Sequence, residues 1–437
     1  MIIQPESLYG RLVTWPKVVA QPVKNCEILP TFKGNICQRC GCRDLERLPR
    51  QQFYCRQCLA LGRVSSLDHF LTLPEPNHFN QKHTLTWTGT LTPQQNEVSQ
   101  VLVQKLKQQQ NHLVWAVTGA GKTEMLFPLL HTALNAHLRI GIVSPRVDVI
   151  VELAPRLEQA FSKSAMVVLH GQQPLPYRYT QLVLATTHQL LRFYRAFDLL
   201  IIDEVDSFPF AGDRMLAYAV EQASKIDRTQ IYLTATPTPQ LQRQVKRKKL
   251  SVSYLPLRFH QHLLPQITVR YVGDWRKKKG QPTVPPTLHQ QLSRYCQSGQ
   301  RFLLFVPKIK DLAPLLDIIR QHWPDMLGES VYAGDPKRQE KVQMMRDKRI
   351  QYLITTTILE RGVTLPGIDV LILGADDPIF SENALVQIAG RVGRSHERPS
   401  GLVCAYVTYK TQALRLAQRQ IKKMNQLGNV LRQNNDE

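Results

Sequence analysis

The sequence predicts an α/β protein with two successive lobes, each a parallel β-sheet covered by helices, behind a small cysteine-rich module. From about residue 110 to 236, apolar runs of strand length alternate with helix-like segments: LVWAV, RIGIVS, AMVVLH, LVLAT, LLIID and IYLTAT. The alternation restarts with RFLLFV, SVYAG, YLITT, VLILG and LVCAYV. Such alternation is typical of βαβ units, in which a helix joins two parallel strands. Six of the eight cysteines lie between Cys26 and Cys58, which sets the first part of the chain apart.

Length and charge narrow the function. The chain has 437 residues, enough for roughly two to four domains. Its 56 lysines and arginines against 34 acidic residues give a formal net charge of +22, so we expect a polyanionic partner, either nucleic acid or an anionic membrane surface. The apolar runs are too short to cross a bilayer. The N-terminal stretch MIIQPESLYG lacks the basic segment and the apolar segment of a secretory signal. We therefore expect a cytoplasmic protein.

Residues 1–84 form the predicted module, with two C-x-x-C knuckles, CQRC and CRQC, separated by 14 residues. Four thiolates at this spacing can close a tetrahedral Zn²⁺ site, which stabilises a module too small to form its own core. The predicted zinc ligands are Cys37, Cys40, Cys55 and Cys58. Cys42 could replace Cys40 only in a strained variant, and Cys26 is interpreted as a bystander. Whether this module grips DNA or docks a protein stays open.

A glycine-containing turn, TGAG, stands between the strand candidate HLVWAV and the helix-like KTEMLFPLL. In this context free backbone N–H groups point at an anion, so the loop is predicted to hold nucleotide phosphates. Lys122 would reach the β- and γ-phosphates, and the Thr123 hydroxyl would bind Mg²⁺. The predicted nucleotide-binding residues of the loop are Thr118, Gly119, Ala120, Gly121, Lys122 and Thr123.

A carboxylate pair follows another apolar strand in FDLLIIDEVDSF. Its position at the carboxyl edge of a parallel sheet is where ligands of such folds bind. Asp203 would hold Mg²⁺ through its waters, and Glu204 would orient and deprotonate the attacking water. Asp206 is expected to face the cleft. Phe208 fits core packing and nucleic-acid contact equally well.

Phosphoryl transfer also needs positive charge against the γ-phosphate, and QIAGRVGRS in the second lobe supplies it. Arg391 and Arg394 are the predicted arginine fingers, and Gln387 of the same motif is grouped with the catalytic residues. The resulting domain limits are 85–240 for the first, ATP-binding lobe, 241–285 for a basic linker, and 286–437 for the second lobe with a basic C-terminal helix.

The ordered series AVTGAGKTE, SPRVDVI, ATTHQLL, DEVD, TATP, LLFVPK, TTTILERGVTLP and QIAGRVGR resembles superfamily 2 helicases over about residues 85–410. The resemblance implies two tandem RecA-like lobes that use ATP and Mg²⁺. It assigns adenine recognition to Gln95 in LTPQQ. Many relatives have an acid where this chain has Thr364, so the role of that position is open. By motif position, the candidate nucleic-acid contacts are Arg146, Thr187, Lys308 and Thr356.

A finer resemblance is to the ComFA family of late-competence ATPases. RAFDLLIIDEVDSFPF, TTTILERGVTLPGIDVLI and the basic RQIKKMNQLG look like that family, as does a four-cysteine module ahead of the ATPase lobes. The resemblance implies an ATPase that is stimulated by single-stranded DNA and helps draw transforming DNA into the cytoplasm. It also implies ComFC, DprA and the ComEC channel as partners, with a position at the inner face of the cell membrane.

Two other classes compete with this reading. The first is a PriA-like replication-restart helicase, whose motif spelling is similar. Relatives of PriA, however, place their zinc cysteines within the second helicase lobe, whereas this chain places them before the first. The second is a basic nucleic-acid-binding protein without enzymatic activity. The intact set Lys122, Asp203, Glu204, Arg391 and Arg394 argues against it.

Overall fold

A computed structural model of the protein describes residues 4–171, 176–276, 282–363 and 365–436. Thr364 therefore lies outside the described residues, as does part of the basic stretch WRKKKGQ. Two compact units divide the chain: Met1–Trp115 with Lys122–Tyr254, and Leu255–Glu437 with the short loop Ala116–Gly121.

The N-terminal part of the first unit consists of short antiparallel strands. They are β1 (Val13–Pro16), β2 (Glu27–Pro30), β3 (Phe32–Lys33), β4 (Ile36–Cys37), β5 (Leu45–Leu48), β6 (Gln52–Cys55) and β7 (Asp68–Thr72). Three of them form a sheet in the order β1-β7-β2, while β3–β4 and β5–β6 are hairpins. The second hairpin leads into the 3-10 helix Arg56–Leu61.

A seven-stranded sheet with helices between its strands follows in the chain. Its elements are α1 (Pro93–Lys107), β8 (His112–Ala116), α2 (Lys122–Asn135), β9 (Ile140–Ser144), α3 (Val147–Ala160), β10 (Met166–Leu169), β11 (Leu182–Thr186), β12 (Phe197–Asp203), α4 (Arg214–Ala223), β13 (Ser224–Thr234), α5 (Pro239–Lys246) and β14 (Ser251–Leu255). The strand order is β10-β11-β9-β12-β13-β8-β14, and the pairs from β10 to β8 are parallel. The strand ends that carry the phosphate loop and the acidic motif therefore share the carboxyl edge of one sheet.

The cysteine hairpins and this sheet share one hydrophobic core. The four predicted zinc ligands lie in a single buried cluster with Val143, Val183, Phe193, Phe197 and Leu200. Strands of two to five residues cannot bury a core of their own, so the module completes its core against the sheet. Its sequence boundary at residue 84 stays a prediction, because the packing crosses that position.

A second sheet, of six parallel strands, belongs to the second unit. Its elements are β15 (Ile267–Tyr271), α6 (Pro286–Ser298), β16 (Phe302–Phe305), α7 (Leu312–His322), β17 (Gly328–Val331), α8 (Arg338–Arg346), β18 (Tyr352–Thr355), β19 (Asp369–Leu373), α9 (Glu382–Ala389), β20 (Val403–Val407) and α10 (Gln412–Asp436). The strand order is β15-β20-β19-β16-β18-β17. Its middle strands are buried along their whole length, as parallel strands covered on both faces are.

The predicted α/β class with two parallel-sheet lobes is confirmed. All eleven apolar runs singled out in the sequence overlap strands of these two sheets, although SVYAG does so only at Ser330 and Val331. The stretch 241–285, interpreted as a basic linker, contributes β14 to the first sheet and β15 to the second. Within the described residues, none of the helices has both the length and the apolar character needed to cross a bilayer.

Candidate active site

The phosphate loop joins the end of β8 to the start of α2. Gly119 and Gly121 both have positive φ angles, +80° and +71°, in the left-handed region that glycine enters without strain. The chain therefore turns sharply before the helix begins at Lys122. Such a loop at a helix N-terminus presents backbone N–H groups to an anion.

Lys122 and Asp203 meet at this edge of the sheet. The Lys122 Nζ atom lies 3.3 Å from the Asp203 Oδ1 atom, and both side chains are about four-fifths buried. Thr123 occupies the next position of the helix and is half-buried. The ammonium group, the hydroxyl and the carboxylate are the groups that phosphate and a divalent cation require.

Glu204 directly follows the strand and has a φ of +54°. This left-handed conformation costs a residue with a side chain roughly 1–2 kcal/mol. Its N–H donates to the Asp203 Oδ1 atom over 2.8 Å, so the turn also holds the carboxylate. Strained positions of this kind occur at functional sites, where the surrounding structure compensates them.

The structure corrects the expectation for Asp206, which is buried instead of facing a cleft. Its two carboxylate oxygens accept hydrogen bonds from the hydroxyls of Thr234 and Thr236. The acidic motif is thereby hydrogen-bonded to TATP at the end of β13, a link that neither motif indicates by itself. Phe208 is 86% exposed, which rules out core packing.

Gln95, the predicted adenine-reading residue, lies in the first turn of α1. Its side-chain Oε1 accepts the Thr92 N–H over 2.9 Å, and its own N–H donates to the Thr92 hydroxyl over 3.3 Å. The pair forms a capping box, which fixes the helix start. Its role toward a nucleotide stays a prediction.

The arginine motif follows α9 in the second unit. Gln387 and Arg391 are buried, and the Arg391 guanidinium donates to the backbone carbonyls of Glu360 and Val363. Arg394 is half-buried and donates from Nε to the Gly390 carbonyl over 3.0 Å. Arg394 is thus the more accessible of the two predicted fingers.

The loop Ala116–Gly121, grouped with the second unit, packs against this motif. A side chain at Gly390 would collide with the Thr118 hydroxyl, so glycine is what lets the two segments approach. The Gly119 carbonyl accepts the Phe259 N–H over 2.9 Å. The preceding residue, Arg258, is buried beside the loop, in the stretch that the sequence predicts as a linker and where no motif marks it.

The four nucleic-acid candidates differ in accessibility. Lys308, after β16, is exposed, whereas Arg146 before α3 and Thr356 after β18 are half-buried. Thr187 is fully buried at the start of the 3-10 helix Thr187–Arg192, and among the described residues its hydroxyl has no hydrogen-bond partner. All four stay predicted strand contacts.

The sulfur atoms of Cys37, Cys40, Cys55 and Cys58 all lie within 4.8 Å of one another, and all four residues are buried. The Cys37–Cys58 sulfurs are 3.8 Å apart and the Cys40–Cys55 sulfurs 3.5 Å apart. Tetrahedral zinc with Zn–S bonds of about 2.3 Å separates its ligands by roughly 3.8 Å, so the donor set fits this metal. Cys42 and Cys26 are half-buried and outside the group.

Hydrogen bonds within the cluster shift the four thiols in opposite directions. The contact with Cys40 lowers the pKa of Cys37 and the contact with Cys37 lowers the pKa of Cys55, whereas contacts with Cys37 raise the pKa of Cys40 and Cys58. Thiolates are the form that binds metal, so loading of the site would release protons from the cluster.

The first knuckle also contacts α4. The Gln38 carbonyl accepts hydrogen bonds from the Tyr218 hydroxyl, over 3.3 Å, and from the Gln222 side-chain amide, over 2.6 Å. Asp213 caps the N-terminus of this helix, which follows the acidic motif. The knuckle and the acidic motif are therefore linked through a single helix.

Comparison with known protein families defines the class. The family "Type III restriction enzyme, res subunit" matches residues 88–239, and "Helicase conserved C-terminal domain" matches residues 286–396. S. cerevisiae Dbp5 bound to RNA and ADP BeF3 shares the fold, with a TM-score of 0.53 at 14% identity over 76% of this chain and 91% of that one. Mycobacterium smegmatis helicase Lhr bound to ssDNA and AMP-PNP has a TM-score of 0.54 at 16% identity, over 78% of this chain and 48% of that one. Both family matches and the phosphate loop identify the chain as an ATP-hydrolysing helicase of superfamily 2.

Full-length relatives give the family. Competence protein ComFA of Bacillus subtilis (strain 168) is 40% identical, over 90% of this chain and 86% of that protein. ComFA of Streptococcus pneumoniae (strain ATCC BAA-255 / R6) is 39% identical, over 95% of this chain and 97% of that protein. The chain belongs to the ComFA family of competence proteins.

Proposed function

We propose that the protein is a translocase that hydrolyses ATP in response to single-stranded DNA and so assists the import of transforming DNA in natural competence. The observation that carries this proposal is the Lys122–Asp203 pair, with a 3.3 Å separation at the phosphate loop of a ComFA-family chain. The formal net charge of +22 supports binding to a polyanion such as a DNA strand. Because the candidate contacts are hydroxyls and basic side chains, the strand would be held by its backbone, without sequence preference.

The residues of the phosphate loop, the acidic motif and the arginine motif would each have a separate role in the nucleotide site. The loop N–H groups and Lys122 would bind the phosphates, while Thr123 and Asp203 would hold Mg²⁺. The magnesium nucleotide supplies the transferable phosphoryl group. Glu204 would take the proton of the attacking water, and Arg394 would stabilise negative charge on the phosphoryl group. In the described structure Arg391 braces the backbone at Glu360 and Val363, so we assign the direct contact to Arg394.

The four-thiol cluster would hold a structural Zn²⁺, because all four positions are filled by protein sulfur and none is left for substrate. The position of the protein at the inner face of the membrane, and its contacts with ComFC, DprA and ComEC, are proposed from family membership. A replication-restart role is the alternative. Two competence proteins that match this chain over 86% and 97% of their own length favour the uptake role.

The decisive experiment measures ATP turnover at saturating ATP and low salt, with single-stranded DNA, duplex DNA, RNA or no nucleic acid. We expect single strands to raise turnover well above the basal rate and duplex DNA to raise it less. Arg394→Ala should keep strand binding yet lose the stimulation, because its guanidinium acts on the phosphoryl group. Lys122→Ala, which lacks the phosphate contact, gives the background. Equal wild-type turnover with and without single strands would sink the proposal.

A further inference from the structure

A cavity of about 560 Å³ lies in the second unit, between the segment that follows β15 and the helices α6 and α7. Its volume is in the range of ligand pockets, roughly 300–1,000 Å³. Trp275 and Trp323 line it, and both are buried members of the hydrophobic core of this unit. Because core packing holds these two parts of the wall in place, the cavity is preformed.

Three aromatic rings meet at this cavity. The centroid of the His289 ring is 4.7 Å from that of Trp323 and 5.8 Å from that of His322. The Trp323 Nε1 atom donates to the Ser293 hydroxyl over 3.3 Å, which fixes the indole against α6. Both histidines line the cavity and are exposed. The cluster therefore offers exposed aromatic surface on which a flat aromatic ligand stacks.

Polar groups line the same cavity. The Thr283 N–H and hydroxyl both donate to the Trp275 carbonyl, over 2.9 and 2.6 Å, and so hold this part of the wall. His322 donates from Nδ1 to the Ile318 carbonyl over 2.9 Å, which leaves its Nε2 atom for a ligand. The exposed carboxylate of Asp274 adds an acceptor. Aromatic surface with a few donors and acceptors fits a nucleobase, which stacks by its faces and hydrogen-bonds by its edge.

The cavity lies beside a predicted strand contact of the same unit. The strands β15 and β16 belong to one parallel sheet, so the segments that follow them leave at the same edge. Arg276, next to Trp275, forms an ion pair with Asp311 over 2.7 Å. The Asp311 N–H donates to the carbonyl of Lys308 over 3.1 Å, and the Lys308 side chain is exposed. One ion pair thus joins the wall of the cavity to the turn that carries the predicted backbone contact.

We propose that this cavity binds one unpaired base of single-stranded DNA, which stacks on His289 beside Trp323 while Lys308 contacts the backbone. The inference rests on the proposed binding of single strands. Because every base has a π-face, such a contact tolerates any sequence. A base within a duplex is stacked and paired, so it enters only after unpairing. The cavity therefore gives the protein a means to prefer single strands over duplex.

The test measures Kd of the full-length protein for two labelled strands of equal length, oligo-dT and an oligomer with abasic sites in place of the bases. Fluorescence anisotropy at low salt gives both values, and thermal unfolding gives the Tm of each variant. His289→Ala removes the exposed ring, whereas His289→Phe keeps an aromatic face. Gln290→Ala is the matched control, because Gln290 is the next residue of α6, is exposed and lies outside the cavity lining.

We expect wild type to bind oligo-dT more tightly than the abasic strand, and His289→Ala to weaken oligo-dT binding about fivefold or more. The affinity of this variant for the abasic strand, and the salt dependence of its binding, should stay those of wild type, because the phosphate contacts are untouched. His289→Phe should keep most of the preference for bases, because a phenyl ring also stacks. Gln290→Ala should match wild type with both strands, and all three variants should keep the wild-type Tm.

Unchanged oligo-dT affinity in His289→Ala overturns the inference and leaves the cavity to another ligand. An equal loss in Gln290→Ala, or an equal loss of abasic-strand affinity in His289→Ala, also overturns it, because the effect would then not come from a base. The measurement uses no ATP. Strand-stimulated turnover, which tests the translocase proposal, can therefore fail while base binding stands, and the reverse.

Discussion

His112 begins β8 and is buried among hydroxyl groups. It is 2% exposed, and its two ring nitrogens hydrogen-bond with the hydroxyls of Ser251, over 2.7 Å, and Ser253, over 2.9 Å. Burial, with a smaller contribution from the Lys105 charge, lowers the pKa of His112 to about 4. The neutral imidazole thus joins β8, which carries the phosphate loop, to the edge strand β14.

Low pH should destabilise this contact between β8 and β14. The unfolded chain takes up a proton near pH 6.5 and the folded chain only near pH 4, so stability falls as pH drops between these values, by about 3 kcal/mol. Denaturant unfolding at pH 7, 5.5 and 4.5 measures it. His112→Gln keeps hydrogen-bonding groups but does not titrate, so the stability advantage of wild type over this variant should shrink as pH falls. An advantage independent of pH would contradict the assignment.

Individual residues differ in how far sequence reveals them. Lys122 and Asp203 are 81 positions apart, yet one comes soon after a buried strand and the other ends one, and parallel strands bring such positions to one sheet edge. Arg258 has no motif of its own, and only folding brings it to Gly119 and Gly393. Asp206 was misjudged because its threonine partners lie on another strand end, in a motif with no assigned role.

At the scale of elements, the sequence reveals every interior strand of the two large sheets but only two of the four edge strands. The interior runs are continuous and apolar because their strands are covered on both faces. Of the edge strands, β10 and β17 were predicted, whereas β14 (SVSYL) and β15 (ITVRY), which alternate polar with apolar residues, were missed. Both also adjoin basic stretches, so their composition indicated a linker.

The cysteine hairpins make a testable prediction at this scale. Cys37→Ser or Cys58→Ser should lose zinc and lower the Tm of the first unit by about 10 °C or more, because the cluster shares its core with the sheet and several kcal/mol of metal binding are lost. Basal ATP turnover should fall with it. Metal analysis and thermal unfolding provide the measurements.

Cys42→Ser is the matched control for the zinc prediction. Cys42 lies two residues from Cys40 and outside the four-sulfur group, so this variant should keep one zinc per chain and the wild-type Tm. Purified wild-type protein without zinc would show that the four-thiol assignment is wrong. A Tm that stays unchanged while zinc is lost would instead refute the coupling between the module and the sheet.

At the scale of the whole molecule, charge sets the conditions under which the protein holds DNA. With a formal +22, binding to single strands should weaken steeply with salt, because each neutralised phosphate releases counterions, with a slope of roughly −0.7 per contact. Fluorescence anisotropy with a homopolymer and a mixed-sequence strand, between about 50 and 200 mM salt, measures both slope and specificity. We expect similar slopes and affinities for the two. A flat salt profile or a strong base preference would contradict backbone binding.

The order of strands in the first sheet has a consequence for the newborn chain. The strand β8 is made early, yet its two neighbours, β13 and β14, end at Thr234 and Leu255. At about 5–20 residues per second, the ribosome needs roughly 7–28 seconds between Ala116 and Leu255. For most of that time, until β13 is complete at Thr234, this apolar strand has no neighbouring strand, and its second edge stays open until β14 is complete. Nascent chains halted before residue 255 should therefore fail to retain ATP and should recruit chaperones, and the ability to bind nucleotide appears only late in synthesis.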